Sequence, residues 1–216
     1  MARVGAKPCV AWRKTGLMSD ADKTRWNSRY SAGEYAQRTH PGVLLRTWLP
    51  QLPMGRALDI ACGAGRNALF LAGCGYQVDA VDISDVALAR AMQSAQAQSL
   101  EVNWLTVDLD QQSLPDGPYD VVVVSRFLMH HLFPQIMDRL APEGVLIYEQ
   151  HLRTDNLQQE TEGVDIGGPQ SARFRLRSQE LLHLCADLQL MHYFEGVVQD
   201  PGGTHMALAQ LVGRAR

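Results

Sequence analysis

From Arg56 onward the chain alternates short apolar runs with stretches in which apolar residues recur every three or four positions. Ala57-Leu58-Asp59-Ile60-Ala61 reads as a strand, and Ala68, Leu69, Leu71 and Ala72 share one side of a helix that starts at Arg66 and ends at Gly73 and Gly75. Residues 76–81 predict a second strand. Ser84 is placed to cap a helix carrying Ala87, Leu88 and Met92, and residues 102–107 predict the third strand. After a turn marked by Pro115 and Pro118, residues 119–124 are apolar and mostly β-branched, as in a parallel strand covered on both faces. Residues 127–140 read as a helical stretch interrupted by Pro134, and residues 144–149 as a fifth strand. Because parallel neighbours need crossover helices, this order predicts a doubly wound α/β sheet.

The pattern differs at both ends. Ser19 and Asp20 can open a helix through Trp26 and Tyr30, and Pro41-Gly42 starts another carrying Val43, Leu44, Leu45 and Trp48, which Pro50 and Pro53 stop. Beyond a polar loop, residues 154–171, and a helix over about 178–187, strand-like runs at 189–197 and 205–212 are joined by Gln199-Asp200-Pro201-Gly202-Gly203. Such a connection makes a hairpin, so the last strand is expected to run antiparallel to the rest.

Composition narrows the class. The chain has 216 residues, 46% hydrophobic and 20% charged, with a formal net charge of −3, which fits one globular domain and leaves no electrostatic footprint for nucleic acid. No apolar run approaches the roughly 20 residues of a spanning helix, so no membrane association is expected. Cys9, Cys62, Cys74 and Cys185 form no C-x-x-C pair and are expected to be free thiols of a cytoplasmic protein, with no metal site. Residues 1–18, with Arg3, Lys7, Arg13 and Lys14 and no secretory apolar core, are expected to be a flexible basic tail. Residues 19–216 then form a single domain whose N-terminal helices occupy 19–50.

Candidate chemistry centres on Asp59-Ile60-Ala61-Cys62-Gly63-Ala64-Gly65-Arg66-Asn67-Ala68, a strand followed by a glycine turn into a helix. Glycine allows tight turning and close approach of a ligand to the backbone. Gly63-x-Gly65-x-x-Ala68 also matches a dinucleotide fingerprint. The acids discriminate, since a pyrophosphate at this helix start would be repelled by Asp59, whereas a cationic amine or sulfonium without phosphate would not. Asp82 closes the second strand, where a carboxylate can accept both hydroxyls of a ribose, and Asp108 lies at the edge of the third, where it can accept from an adenine amino group.

At these residues the sequence resembles the class I S-adenosylmethionine-dependent methyltransferases. Asp59 through Gly65 looks like their first motif, Asp82 their ribose-binding acid, Val107-Asp108-Leu109 their adenine motif, and Leu140-Ala141-Pro142-Glu143-Gly144-Val145-Leu146 the turn into their fifth strand. Gly65-Arg66-Asn67-Ala68-Leu69-Phe70-Leu71-Ala72, Gly75-Tyr76, Val81-Asp82-Ile83-Ser84 and Trp26-Asn27-Ser28-Arg29-Tyr30 are similar to the tellurite-resistance type within that class. The resemblance implies a Rossmann-like seven-stranded sheet, mostly parallel, with one antiparallel strand from the C-terminal hairpin inserted beside the fifth. It also implies S-adenosyl-L-methionine as cofactor, with contacts from Trp26, Tyr30, Asp59, Ala61, Gly63, Gly65, Arg66, Asp82, Ile83, Asp108, Leu109 and Ser125. Ala61 stands where the family usually has glycine, which predicts ordinary backbone angles there.

The acceptor is expected to be a small molecule, uncharged or anionic: a chalcogen oxyanion, a thiol or a metabolite. Arg126, just after the fourth strand, can hold an anion or pair with an acid, and His130 is a second candidate substrate contact. Glu149 and His151, at the end of the fifth strand, are the candidate bases. Ala172-Arg173-Phe174-Arg175-Leu176-Arg177 is either a half-buried extended segment with solvent-facing arginines or a lid that attracts an anionic acceptor. Two other functions fit the same motifs: a nicotinamide-dependent oxidoreductase and a non-catalytic cofactor-binding regulatory module. No oligomeric state follows from the sequence.

Overall fold

The computed structural model describes residues 19–155, 157, 164–200 and 202–216; the expected basic tail, with Cys9, and part of the expected loop 154–171 lie outside them. Strands β1 (Arg56–Ile60), β2 (Gln77–Asp82), β3 (Asn103–Thr106), β4 (Tyr119–Ser125), β5 (Leu140–His151), β6 (Gln189–Gln199) and β7 (His205–Arg214) form one sheet in the order β3-β2-β1-β4-β5-β7-β6. Pairing is parallel from β3 through to β5, and β7 runs against both of its neighbours. The expected α/β sheet with one reversed strand beside the fifth is therefore the observed one.

Helices α1 (Ser19–Ser31) and α2 (Val43–Trp48) precede the sheet, α3 (Arg66–Gly73) and α4 (Asp85–Ala97) are the first crossovers, and α5 (Phe133–Arg139) and α6 (Glu180–Leu184) follow β4 and β5. Ser84 caps α4, its Oγ accepting the Ala87 N–H at 3.1 Å. Pro134 does not interrupt a helix: it sits in the first turn of α5, where its missing N–H has no intrahelical partner to lose. The fifth strand extends beyond 144–149 at both ends, and the helix expected over 178–187 is only Glu180–Leu184.

Alternation along the central strands divides the interior in two. Leu58, Ile60, Val122, Val124, Leu146 and Tyr148 face the layer that includes Phe133, Ile136 and Leu181. Ala57, Val121, Val123, Val145 and Ile147 face the layer of Leu44, Leu45, Ala68 and Leu71. The four β4 valines are at most 1% exposed, each worth up to about 2 kcal/mol of burial, so β4 is the anchor of the sheet. The strand order reverses between β1 and β4, which places a crevice at their carboxyl ends, where open α/β sheets take ligands. Cys62, Cys74 and Cys185 are free thiols. Among the described residues no helix is long and apolar enough to cross a membrane.

Candidate functional site

The chain leaves β1 through a turn with three left-handed residues, Ala61 (φ 53°), Gly63 (φ 57°) and Gly65 (φ 79°). Ala61 does not take the ordinary angles its side chain predicts. The path of the turn is fixed by the Cys62 N–H donating to Val81 O and the Gly65 N–H donating to Cys62 O, each at 3.0 Å, and alanine accepts the strain that glycine would avoid. Substituted glycines would not fit: a Cβ on Gly63 would lie 2.3 Å from Tyr30 Oη, and one on Gly65 2.5 Å from the Trp104 ring. The turn is therefore walled by α1 on one side and β3 on the other.

Two buried acids support the turn. Asp59, 1% exposed, accepts the Ala68 N–H at 3.0 Å. Burial pushes its carboxyl up to about 7, opposed by that N–H and by the Arg66 charge and assisted by Asp82. Asp82 closes β2 as expected and is buried there: Oδ2 accepts the Gly63 N–H and Oδ1 the Ser84 N–H, both at 2.8 Å. Burial raises this carboxyl too, against its backbone hydrogen bonds. The Ile83 N–H also acts on this carboxylate, and the lone pairs left on its two oxygens can still accept from a ligand hydroxyl.

Asp108 is half-buried, its Oδ1 accepting the Asp110 N–H at 3.0 Å; Leu109 beside it is buried, and Ile83 is half-buried. Over the turn, Tyr30 is buried and packs with Trp26 and Tyr35, at centroid distances of 6.4 and 5.6 Å. Burial, and then the Asp82 charge, raise the Tyr30 hydroxyl well above its usual range, so it is a neutral donor beside that carboxylate. Asn27, which sequence reasoning passed over, fastens α1 here, its Oδ1 accepting from Ser84 Oγ at 2.7 Å.

At the carboxyl ends of β4 and β5, Arg126 has left-handed backbone (φ 62°) and donates twice to Glu149, from its N–H to the carbonyl at 2.8 Å and from Nε to Oε1 at 2.9 Å; its Nη1 rests on Met206 Sδ. Glu149 Oε2 accepts from Gln210 Nε2 at 2.8 Å. Both Glu149 oxygens are engaged and the residue is 6% exposed, so in this structure the candidate base sits as the counterion of Arg126. Arg66 donates to Ser125 Oγ at 3.2 Å, and its charge is disfavoured by burial and by the neighbouring Arg126.

His151, the other candidate base, is 7% exposed, and its Nδ1 is buried without a hydrogen bond among the described residues. Burial, with the charges of Arg126, Arg175 and Arg38, pushes its pKa down to about 3. It is therefore a neutral acceptor and a poor base. Arg175 is not a lid group, because it donates to the carbonyls of Pro169, Leu152 and Gly167 at 2.8, 3.0 and 3.3 Å. Arg173 lies over the Phe174 ring at 4.4 Å, and Arg177 is exposed. His130 pairs with Glu180 at 2.9 Å, joining the turn before α5 to α6. Arg38 and Gln210 carry no motif; only the register that sets Glu149 opposite Gln210 reveals the latter.

Residues 57–144 match the family model described as a methyltransferase domain. Among curated relatives, the putative methyltransferase YqeM of Bacillus subtilis (strain 168) is 31% identical over 106 residues, 45% of this chain and 42% of that protein. The chain spans less than half the length of the first curated relatives it matches, 42% and 46%. TehB from Haemophilus influenzae superposes with a TM-score of 0.69 at 21% identity, covering 88% of this chain and 67% of that one. The magnesium protoporphyrin IX methyltransferase ChlM of Synechocystis PCC 6803, solved with bound SAH, gives 0.63 at 18% identity, covering 93% and 100%. At such identities the structures speak for the fold alone. The match over 57–144 covers β1 to β4, the glycine turn and the three acids described above, so the part of the chain that builds this site is the part similar to a methyltransferase domain.

Proposed function

We propose that this chain transfers the methyl group of S-adenosylmethionine to a small anionic acceptor. The observation that carries the reading is Asp82, a buried carboxylate that pins the turn at Gly63 yet keeps acceptor positions for a ribose. Asp59, held near neutrality by burial, would be drawn to its ionised form by a cationic amine, and Asp108 and Leu109 would border the adenine. Tyr30 and Trp26 would cover the ligand and exclude water, with Ala61, Gly63, Gly65, Arg66, Ile83 and Ser125 around it.

When bound, S-adenosylmethionine supplies a sulfonium methyl that needs no further activation. What the chain must add is alignment of the acceptor and exclusion of water. Arg126, Arg66 and Arg38 gather near the carboxyl ends of β4 and β5 with two carboxylates, Glu149 and the burial-raised Asp59, and this excess of positive charge favours an anion there. Neither Glu149, held in its ion pair, nor His151, at about 3, is suited to remove a proton at neutral pH. The acceptor therefore arrives already nucleophilic, as a thiolate, a carboxylate or a chalcogen oxyanion. Titration calorimetry should show binding of S-adenosylhomocysteine and none of NADH, and labelled methyl should pass to an anionic member of an acceptor panel. Tight NADH binding without response to S-adenosylhomocysteine would move the chain to the oxidoreductases.

A further inference from the structure

Just past β5, Leu152 and Leu176 meet in a parallel bridge, with the Leu176 N–H donating to His151 O at 2.8 Å and the Arg153 N–H to Leu176 O at 2.9 Å. Two extended segments run side by side here. Their alternation turns Leu152 and Leu176 inward, 1% and 0% exposed, and sets His151 and Arg153 on one face beside Arg175 and Arg177. Arg175 is committed to loop carbonyls, but its neighbours along the face are not: Arg153 and Arg177 line a cavity of about 210 Å³ together with Asp155 and Ser178. Arg153 Nε is buried without a hydrogen bond, and neither guanidinium makes an ion pair among the described residues. Asp155 is the one carboxylate in the lining, and Glu180, which accepts the Arg177 backbone N–H and feels the Arg177 charge, is itself paired with His130, so a buried guanidinium N–H of Arg153 with nothing to donate to is the group an anion satisfies best.

We infer that this cavity is an anion subsite that holds a carboxylate or phosphate at the far end of the acceptor. As an acceptor subsite it rests on the methyl-transfer reading; as an anion site it does not. Two residues of extended chain separate His151 from Arg153, a span of about 6.6 Å. An acceptor that reaches from the Arg126 side, past His151, to this cavity must span at least that distance, roughly four or five bonds. A single oxyanion cannot bridge that span, so the favoured acceptor is a small metabolite with two separated polar ends.

The test is calorimetric titration of the whole, cofactor-free chain with inorganic phosphate and, separately, with succinate. Phosphate or succinate should bind the wild type, Arg153→Gln and Arg177→Gln should each weaken it roughly tenfold or more, and Arg153→Lys should retain part of the affinity. Circular dichroism and S-adenosylhomocysteine affinity, both unchanged, would show that the variants are folded. Absence of binding, or equal binding by wild type and both glutamine variants, overturns the subsite. Anion binding without any S-adenosylhomocysteine binding would instead overturn methyl transfer and leave the subsite standing. In turnover, the bound anion should compete with the acceptor and not with S-adenosylmethionine; inhibition noncompetitive towards the acceptor would overturn its assignment to the acceptor's far end.

Discussion

Asp59→Asn keeps an oxygen for the Ala68 N–H and removes the ability to ionise. In the folded chain burial moves this carboxyl from its ordinary 3.8 to about 7. Between those values the folded state holds a proton that the unfolded state has released, so stability is greatest below about 4, falls as pH rises through the window and is flat above it. Each pH unit of the window corresponds to about 1.4 kcal/mol, so the wild type loses on the order of 4 kcal/mol from this group by alkaline pH. The asparagine chain has no such loss. Its extra amide donor costs the same at every pH, and the gain from removing the charge appears only above the window. Urea unfolding of both proteins at acidic and at alkaline pH isolates the second effect, because only the difference of differences is read. The stability gap should move in favour of the variant by at least about 2 kcal/mol towards alkaline pH. A gap that stays constant, or moves the other way, refutes the assignment of a buried, reluctant charge to Asp59.

The same carboxyl predicts that affinity for S-adenosylhomocysteine, whose amine is cationic at neutral pH, declines up to tenfold per unit as pH falls below about 7; calorimetry from neutral to acidic pH should show this in the wild type and not in Asp59→Asn. Asp82→Ala strips the acceptor from two backbone N–H groups at once, so melting and cofactor affinity should both suffer, the former by about 2–4 kcal/mol, and an unchanged melting curve would contradict the geometry. Ala61→Gly should raise stability by about 1 kcal/mol in denaturant unfolding, since the left-handed angle ceases to cost strain. Arg126→Gln leaves Glu149 buried without its cation; it should lower stability by about 3 kcal/mol and raise the acceptor KM while S-adenosylhomocysteine affinity is nearly kept.

Strands and crossover helices were legible because the period of the apolar residues is a local property, and Ser84 was legible as a cap for the same reason. The glycine turn was recognisable, but its effect on Ala61 was not, because hydrogen bonds from another strand set that backbone. Glu149 lies at a strand end as its sequence position implies, but its partners could not be read there. Its partners arrive from Arg126, in a backbone conformation unusual for arginine, and from Gln210, 61 residues away, and neither signal is local. The alternating arginines failed for a related reason: Arg175 has the spacing of a solvent-facing residue, and only the fold brings the carbonyls of Gly167 and Pro169 within its reach.

The place of β7 between β5 and β6 orders the assembly of the site in time. Strands β1, β2 and β3 pair with near neighbours in the chain and close small loops, so the cofactor turn can form early. The acceptor wall cannot, because Glu149 waits for a strand that follows it by 61 residues and must slot between two others. Loop closure of that length is the slow, entropically opposed part of the search. The two walls of the crevice thus differ in how local they are: the turn and its acids are held by contacts between neighbouring strands of the first half of the chain, whereas Glu149 is held only once the last strand is in place.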